Sequence, residues 1–247
     1  MQLRVFALCI LLGATRLMAQ STDAVPTGKG TLTVHPVQHA SLALTIGNTT
    51  VYADPAGGAD FKNLPSPDVI LVTDIHGDHF DTAAIAKVIA PNTVLVVPEA
   101  VAALLPAALK AKAVVLHNGA QSMQAGIGIK AIPMYNLGAS PRHPKGRGNG
   151  YVLTIGGKQV YLSGDTQGIP EMKALKNIDV AFVCMNLPYT MDVKEAAAAV
   201  LAFKPKIVYP YHYRGQNGLS DINEFKALVN AGDKNIDVRL RNWYPGK

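Results

Sequence analysis

Residues 72–81 read V-T-D-I-H-G-D-H-F-D, three aspartates and two histidines in ten positions. The apolar run D-V-I-L-V (68–72) leads into them, and T-A-A-I-A-K-V-I-A (82–90) follows. The short apolar run reads as a strand buried on both faces and the following run as a helix. Ionisable groups therefore crowd the point where a buried strand ends. In D-x-H-x-D-H, residues 74, 76 and 78 would point one way along an extended turn, and the start of the helix would swing His79 aside. Two groups of donors can then face two metal ions. Imidazole and carboxylate together suit zinc, iron or manganese.

The flanking pattern places that turn in a fold. T-L-T-V-H-P-V, S-L-A-L-T-I and T-T-V-Y-A-D read as strands, the last two joined by a G-N turn. T-V-L-V-V (93–97) and V-V-L (114–116) read as strands around an Ala/Leu-rich helix over 98–112, opened by Pro98. I-G-I-K-A-I-P-M (127–134) alternates, and residues 135–150, rich in Gly and Pro, read as a loop. Y-V-L-T-I and Q-V-Y-L-S form a hairpin through G-G-K. Helices over 170–176, 192–203 and 220–231 then alternate with strands D-V-A-F-V-C-M, K-I-V-Y-P and D-V-R-L-R. A meander followed by strand–helix alternation occurs twice. That predicts an α/β domain of two packed sheets with helices outside.

Other ionisable residues fall at comparable places. Asp54 ends V-Y-A-D-P, Asp165 ends Y-L-S-G-D-T, and His212 ends I-V-Y-P-Y-H-Y; His143 lies in the Gly/Pro loop. Loops at strand ends are where a rigid scaffold presents chemistry. Taken singly, each could be an ordinary loop or turn residue. Burying them together without metal or partners would be costly, so the set points to a metal site.

Composition narrows the classes. The chain has 247 residues, 49% hydrophobic and 16% charged, enough for one sizeable core. Arg4, an apolar run from Val5 to Ala14 and Ala19 at a cleavage point read as a signal peptide over residues 1–19. The mature chain is then expected to be periplasmic or secreted, with no stable membrane anchor. Residues 20–29 read as a flexible start and 30–247 as the domain. Removing residues 1–19 takes two arginines and no acid, so the formal charge falls from +6 to +4. No Lys/Arg run argues for nucleic acid. With Cys9 removed, Cys184 is the one cysteine left, which excludes an internal disulfide and a Cys-based zinc site.

These landmarks resemble those of the metallo-β-lactamase superfamily, whose signature is H-x-H-x-D-H. The likeness spans nearly all the mature chain. Q-H-A-S-L and V-Y-A-D-P look most like a branch that includes ascorbate-6-phosphate lactonase and metal-dependent hydrolases of unassigned substrate. The resemblance implies a four-layer αββα sandwich with two divalent metals at one edge of the sheets. By resemblance, His76, His143 and residue 74 would hold one metal and Asp78, His79 and His212 the other, with Asp165 bridging. Asp54 and Asp81 would stand behind the ligands and orient their rings, and His39 would be a further outer partner.

The signature's first histidine is Asp74 here. A carboxylate can still ligate, and it favours manganese or iron more than imidazole would, although zinc is the first expectation. Alternatively the first site is weak or empty, or His39 or His35 compensates. The expected chemistry is hydrolysis of a small ester or lactone, amide or phosphodiester by a metal-bound hydroxide, with Asp78 and Asp165 as catalytic residues. Tyr135, Asn136 and Tyr189 could line the substrate pocket. The competing class is a metal-binding or interaction protein with an impaired first site. Substrate and oligomeric state stay open.

Overall fold

Period-two alternation in the strands decides the layers. The computed structural model describes residues 22–139 and 141–244; the proposed signal peptide lies outside them. The first half forms β1 (Asp23–Thr27), β2 (Gly30–Gln38), β3 (Ser41–Ile46), β4 (Thr49–Ala53), β5 (Val69–Leu71), α1 (Thr82–Val88), β6 (Val94–Val97), α2 (Glu99–Leu104), α3 (Ala107–Lys110) and β7 (Ala113–Val115). Its seven strands make one sheet in chain order, antiparallel from β1 to β4 and parallel from β4 to β7. Leu42, Leu44, Val51, Ala53, Val69, Leu71 and Val96 face one cluster, shared with the other half. The residues between them, Ala43, Tyr52, Ile70, Leu95 and Val97, face a second cluster with Ile85, Val101, Leu105 and Leu109 of the α1–α3 region. One sheet is thus apolar on both faces, as the continuous run V-I-L-V requires.

The second half forms β8 (Gln121–Gln124), β9 (Ile127–Met134), β10 (Gly148–Ile155), β11 (Lys158–Leu162), α4 (Pro170–Lys173), β12 (Val180–Cys184), α5 (Val193–Phe203), β13 (Ile207–Tyr211), a small hairpin β14 (Arg214–Gly215) and β15 (Gly218–Leu219), α6 (Ile222–Gly232) and β16 (Asp237–Val238). Its large sheet runs β16-β13-β12-β11-β10-β9-β8, and α5 packs against α6. Ile129, Leu153, Val160 and Leu162 share the inter-sheet cluster with Leu42 and Val51, and Ala196, Val200, Phe225 and Val229 extend it to the helices. The result is the expected αββα sandwich.

Three expectations need correction. Residues 23–27 are not a flexible start but a strand paired with β2; Val25 is buried, and Asp23 takes Arg239 and Arg241. The helix over 98–112 is two helices. Pro106 has no N–H and biases Leu105 to its extended conformation (φ −69°, ψ 133°), which ends α2. The loop over 135–150 ends early, because Gly148 already belongs to β10. A Cβ there would lie 2.3 Å from Met134 Cε and 2.8 Å from the Thr73 carbonyl, so glycine marks a close approach rather than a loop.

Candidate metal centre

Five strand ends meet at one edge of the sandwich. Asp54 follows β4, residues 73–79 follow β5, His143 lies between β9 and β10, Asp165 follows β11 and His212 follows β13. His39, Asp54 and His212 have φ of 56°, 45° and 47°, a left-handed conformation unusual for side-chain-bearing residues. Such strain persists where surrounding structure enforces it, and it clusters at functional sites.

The donors come together in three groups, the last two sharing His212: Asp74, His76 and His143; His79, Asp165 and His212; and His39, Asp78 and His212. Asp165 lies between the first two. Its Oδ2 is 3.2 Å from His143 Nε2 and 3.4 Å from His79 Nε2, and its Oδ1 is 3.2 Å from His212 Nε2. His79 Nε2 and His212 Nε2 are 3.1 Å apart.

Neighbouring groups set the tautomers. Asp54 Oδ2 accepts from His79 Nδ1 at 2.8 Å, and Thr73 fixes Asp54 through its N–H and hydroxyl, both at 2.7 Å. Asn136 Oδ1 accepts from the backbone N–H of His143 at 2.8 Å and from its Nδ1 at 2.9 Å. In the neutral rings both Nε2 lone pairs are then aimed inward. His143 Nε2 and Asp165 Oδ1 are buried with no hydrogen-bond partner. Lone pairs and carboxylate oxygens converging in a buried space favour a cation among them, so the donor set fits divalent metal.

The side chains alone show the same demand. Burial opposes charge on His79, yet the carboxylates of Asp165 and Asp54 outweigh it and raise its pKa well above the usual imidazole value. Burial would raise Asp165, but the neighbouring imidazoles of His212, His79 and His143 hold it well below the usual carboxylate range. His212 is pushed down to about 3, chiefly by burial. Burial raises Asp54 against the pull of His79.

A model of the Beta-lactamase superfamily domain matches residues 33–212. The chain belongs to the metallo-β-lactamase superfamily. A metal-dependent hydrolase of Pyrococcus abyssi is 34% identical over 201 residues, covering 79% of this chain and 85% of its own. A solved structure from Parabacteroides distasonis, described as a metal-dependent hydrolase, is 40% identical with a TM-score of 0.80, covering 90% of this chain and 99% of that one. Igni18, a metallo hydrolase from Ignicoccus hospitalis, shares the fold at 22% identity and a TM-score of 0.72, covering 87% and 96%.

Against the superfamily signature, position 74 is resolved by a residue that sequence reasoning missed. Arg147 donates to Asp74 twice, Nε to Oδ1 at 3.0 Å and a terminal nitrogen to Oδ2 at 2.9 Å. Asp74 Oδ2 also lies 2.8 Å from His76 Nδ1 and 3.9 Å from His143 Nε2. Burial would raise its pKa, but the His76 hydrogen bond and the charges of His79, Arg147 and His76 lower it. Asp74 and Arg147 together carry no net charge, like the imidazole that the signature places there. The signal for Arg147 was present in H-P-K-G-R, but only the fold returns that loop to Asp74.

Other placements differ from expectation. Asp81 holds no imidazole; it caps α1, accepting from the N–H groups of Ala83 and Ala84. His35 bonds Thr45 rather than approaching Asp74. His39 does not approach Asp74 either; its Nε2 lies 3.2 Å from Asp78 Oδ2 and its Nδ1 2.7 Å from the Tyr244 hydroxyl. Tyr135 donates to Glu171 outside the cavity. Tyr189 does line the cavity, whereas Asn136 stands behind His143 and donates to the Tyr189 carbonyl. Asn136→Ala is therefore expected to free the His143 ring and weaken metal affinity by about tenfold to a hundredfold. Equilibrium dialysis against a chelator-buffered metal series checks this; unchanged affinity would show that the ring needs no such partner.

Proposed function

We propose that this chain is a metal-dependent hydrolase acting on a small ester or lactone, amide or phosphodiester. His79, His212 and Asp78 would hold one cation, and His76, His143 and Asp74 a second, with Asp165 between them. The observation that carries this reading is Asp165, whose two buried oxygens face three imidazole nitrogens within 3.4 Å. Divalent cations held there would lower the pKa of water toward about 7 and polarise the bond under attack. The chain's own groups supply position. Asp54, Thr73 and Asn136 fix the rings, and Asp78, its side chain 41% exposed, opens on the cavity. Burial would raise the Asp78 pKa, but the His39 hydrogen bond and the charges of His79 and His212 lower it, so it stays ionised. An ionised Asp78 accepts an O–H and orients a water; passing the proton onward then falls to a group of higher pKa. Zinc, manganese and iron all suit the donors.

The Asp74–Arg147 pair supports one competing reading, a metal-binding protein whose first site is impaired. A panel of ester, lactone, lactam, amide and phosphodiester substrates separates the two. Turnover that disappears with EDTA and returns with added metal supports the hydrolase; full metal loading with no turnover across the panel would overturn it. Export over residues 1–19 is part of the proposal, and the N-terminal sequence of protein recovered from the periplasm or medium tests it.

A further inference from the structure

Five arginines lie among the described residues, and three of them are paired with aspartates. Arg147 takes Asp74, Arg239 takes Asp23 and Asp237, and Arg241 takes Asp23. The other two, Arg142 and Arg214, form no ion pair among the described residues. Both line the same cavity, about 260 Å³ in volume, whose wall also includes His76, Asp78 and Asp165. The two unpaired guanidinium groups thus sit at the mouth of the candidate metal centre.

Each lies over an aromatic ring. Arg142 Cζ lies 4.5 Å from the Tyr189 ring centre, and Arg214 Cζ lies 5.4 Å from that of Tyr244. The Tyr244 hydroxyl accepts the Arg214 backbone N–H at 3.0 Å and meets His39 Nδ1 at 2.7 Å, which ties this platform to the metal centre. Neither guanidinium donates a hydrogen bond among the described residues. The in-plane N–H donors stay available, and their fork matches a carboxylate or phosphate. A neutral substrate filling this cavity would cover two cations and leave their donors unmatched.

We propose that the substrate carries a carboxylate or phosphate group besides the bond that is cleaved, and that Arg142 and Arg214 receive it. This rests on the hydrolase reading of the same cavity. The test is calorimetric titration of the purified, metal-loaded protein with succinate, inorganic phosphate and the neutral diamide succinamide. The same titrations are run on R142Q, R214Q, R142Q/R214Q and R142K/R214K, with metal content and thermal midpoint as controls on folding. At least one anion is expected to bind at least about tenfold more tightly than succinamide, and R142Q/R214Q to lose at least about tenfold with metal content unchanged. The lysine pair, which keeps charge without the fork, should fall between, and it carries the test if the glutamine pair does not fold. Succinate alone binding assigns a carboxylate, and phosphate alone a phosphoryl group. Failure of both anions to bind, equal binding of succinamide, or anion binding unchanged in the double variants would overturn the inference. Anions bound through the arginines with no turnover across the substrate panel would remove the hydrolase reading and keep the anion site. Hydrolysis of neutral esters, unaffected by R142Q/R214Q, would do the reverse.

Discussion

Asp165→Ala is expected to empty both donor groups of metal at once. One carboxylate reaches His143 and His79 through Oδ2 and His212 through Oδ1, all within 3.4 Å. Asp165 is only 3% exposed, so its carboxylate is held among these rings rather than in solvent. Loss of an ordinary single ligand should weaken one site. On the proposed two-cation reading, loss of this one would remove a donor and a negative charge from two. Metal content is expected to fall below about a tenth of the parent's, and turnover by at least about a thousandfold, since the proposed activation of water would depend on the cation. Asp165→Asn separates charge from shape: it keeps an oxygen in place and should retain more metal than alanine but less than the parent. Mass-spectrometric metal analysis of the purified variants gives the answer. An alanine variant that keeps half its metal would show that the two groups are independent and that Asp165 serves only one.

The fold was legible because its strands obey a strict rule. V-I-L-V had to be buried on both faces, and the structure divides Val69 and Leu71 from Ile70 and Val72 between two apolar clusters. The candidate metal-site residues could be picked out because they are titratable and sit at the ends of such strands. What stands behind them was legible only in part: Asp54 was expected behind the ligands and does hold His79, and His39 was expected as an outer partner and does meet Asp78. Asn136 and Thr73 reach the site through hydrogen bonds to His143, Asp54 and His79, and no spacing rule links residues 136 and 143 or 54, 73 and 79. Asp81 looked like more of the same acidic cluster, yet one residue before a helix its carboxylate has the commoner task of capping. Arg147 lies 73 residues from Asp74, and the pair forms only when the glycine at 148 lets β10 run close beneath Thr73 and Asp74. Residues 23–27 failed for a different reason. Their small and polar character reads as loop, but a sheet edge needs only one buried side chain, Val25, and a charged end to settle there.

That missed arginine changes what Asp74→His should do. Read from the signature alone, restoring histidine would keep or raise zinc occupancy. In the folded protein it would also strip Arg147 of the one carboxylate it pairs with among the described residues. The Arg147 side chain is about one-fifth exposed and Asp74 is fully buried, so the charge would be left largely desolvated beside a new imidazole. Breaking a buried pair by removing one partner costs about 3 kcal/mol or more. An uncompensated cation also repels the metal. Asp74→His alone is therefore expected to lower both the thermal midpoint and the metal content. Arg147→Gln alone should be harmful as well, because it leaves the Asp74 charge short of a partner. The two together should recover much of each loss, since imidazole beside a neutral amide again carries no net charge. A double-mutant cycle read by thermal midpoint and bound metal measures that coupling, expected at about 2 kcal/mol. Strict additivity would show that Asp74 and Arg147 act independently. Full metal in Asp74→His alone would mean that the guanidinium finds another partner and that the site tolerates the extra charge.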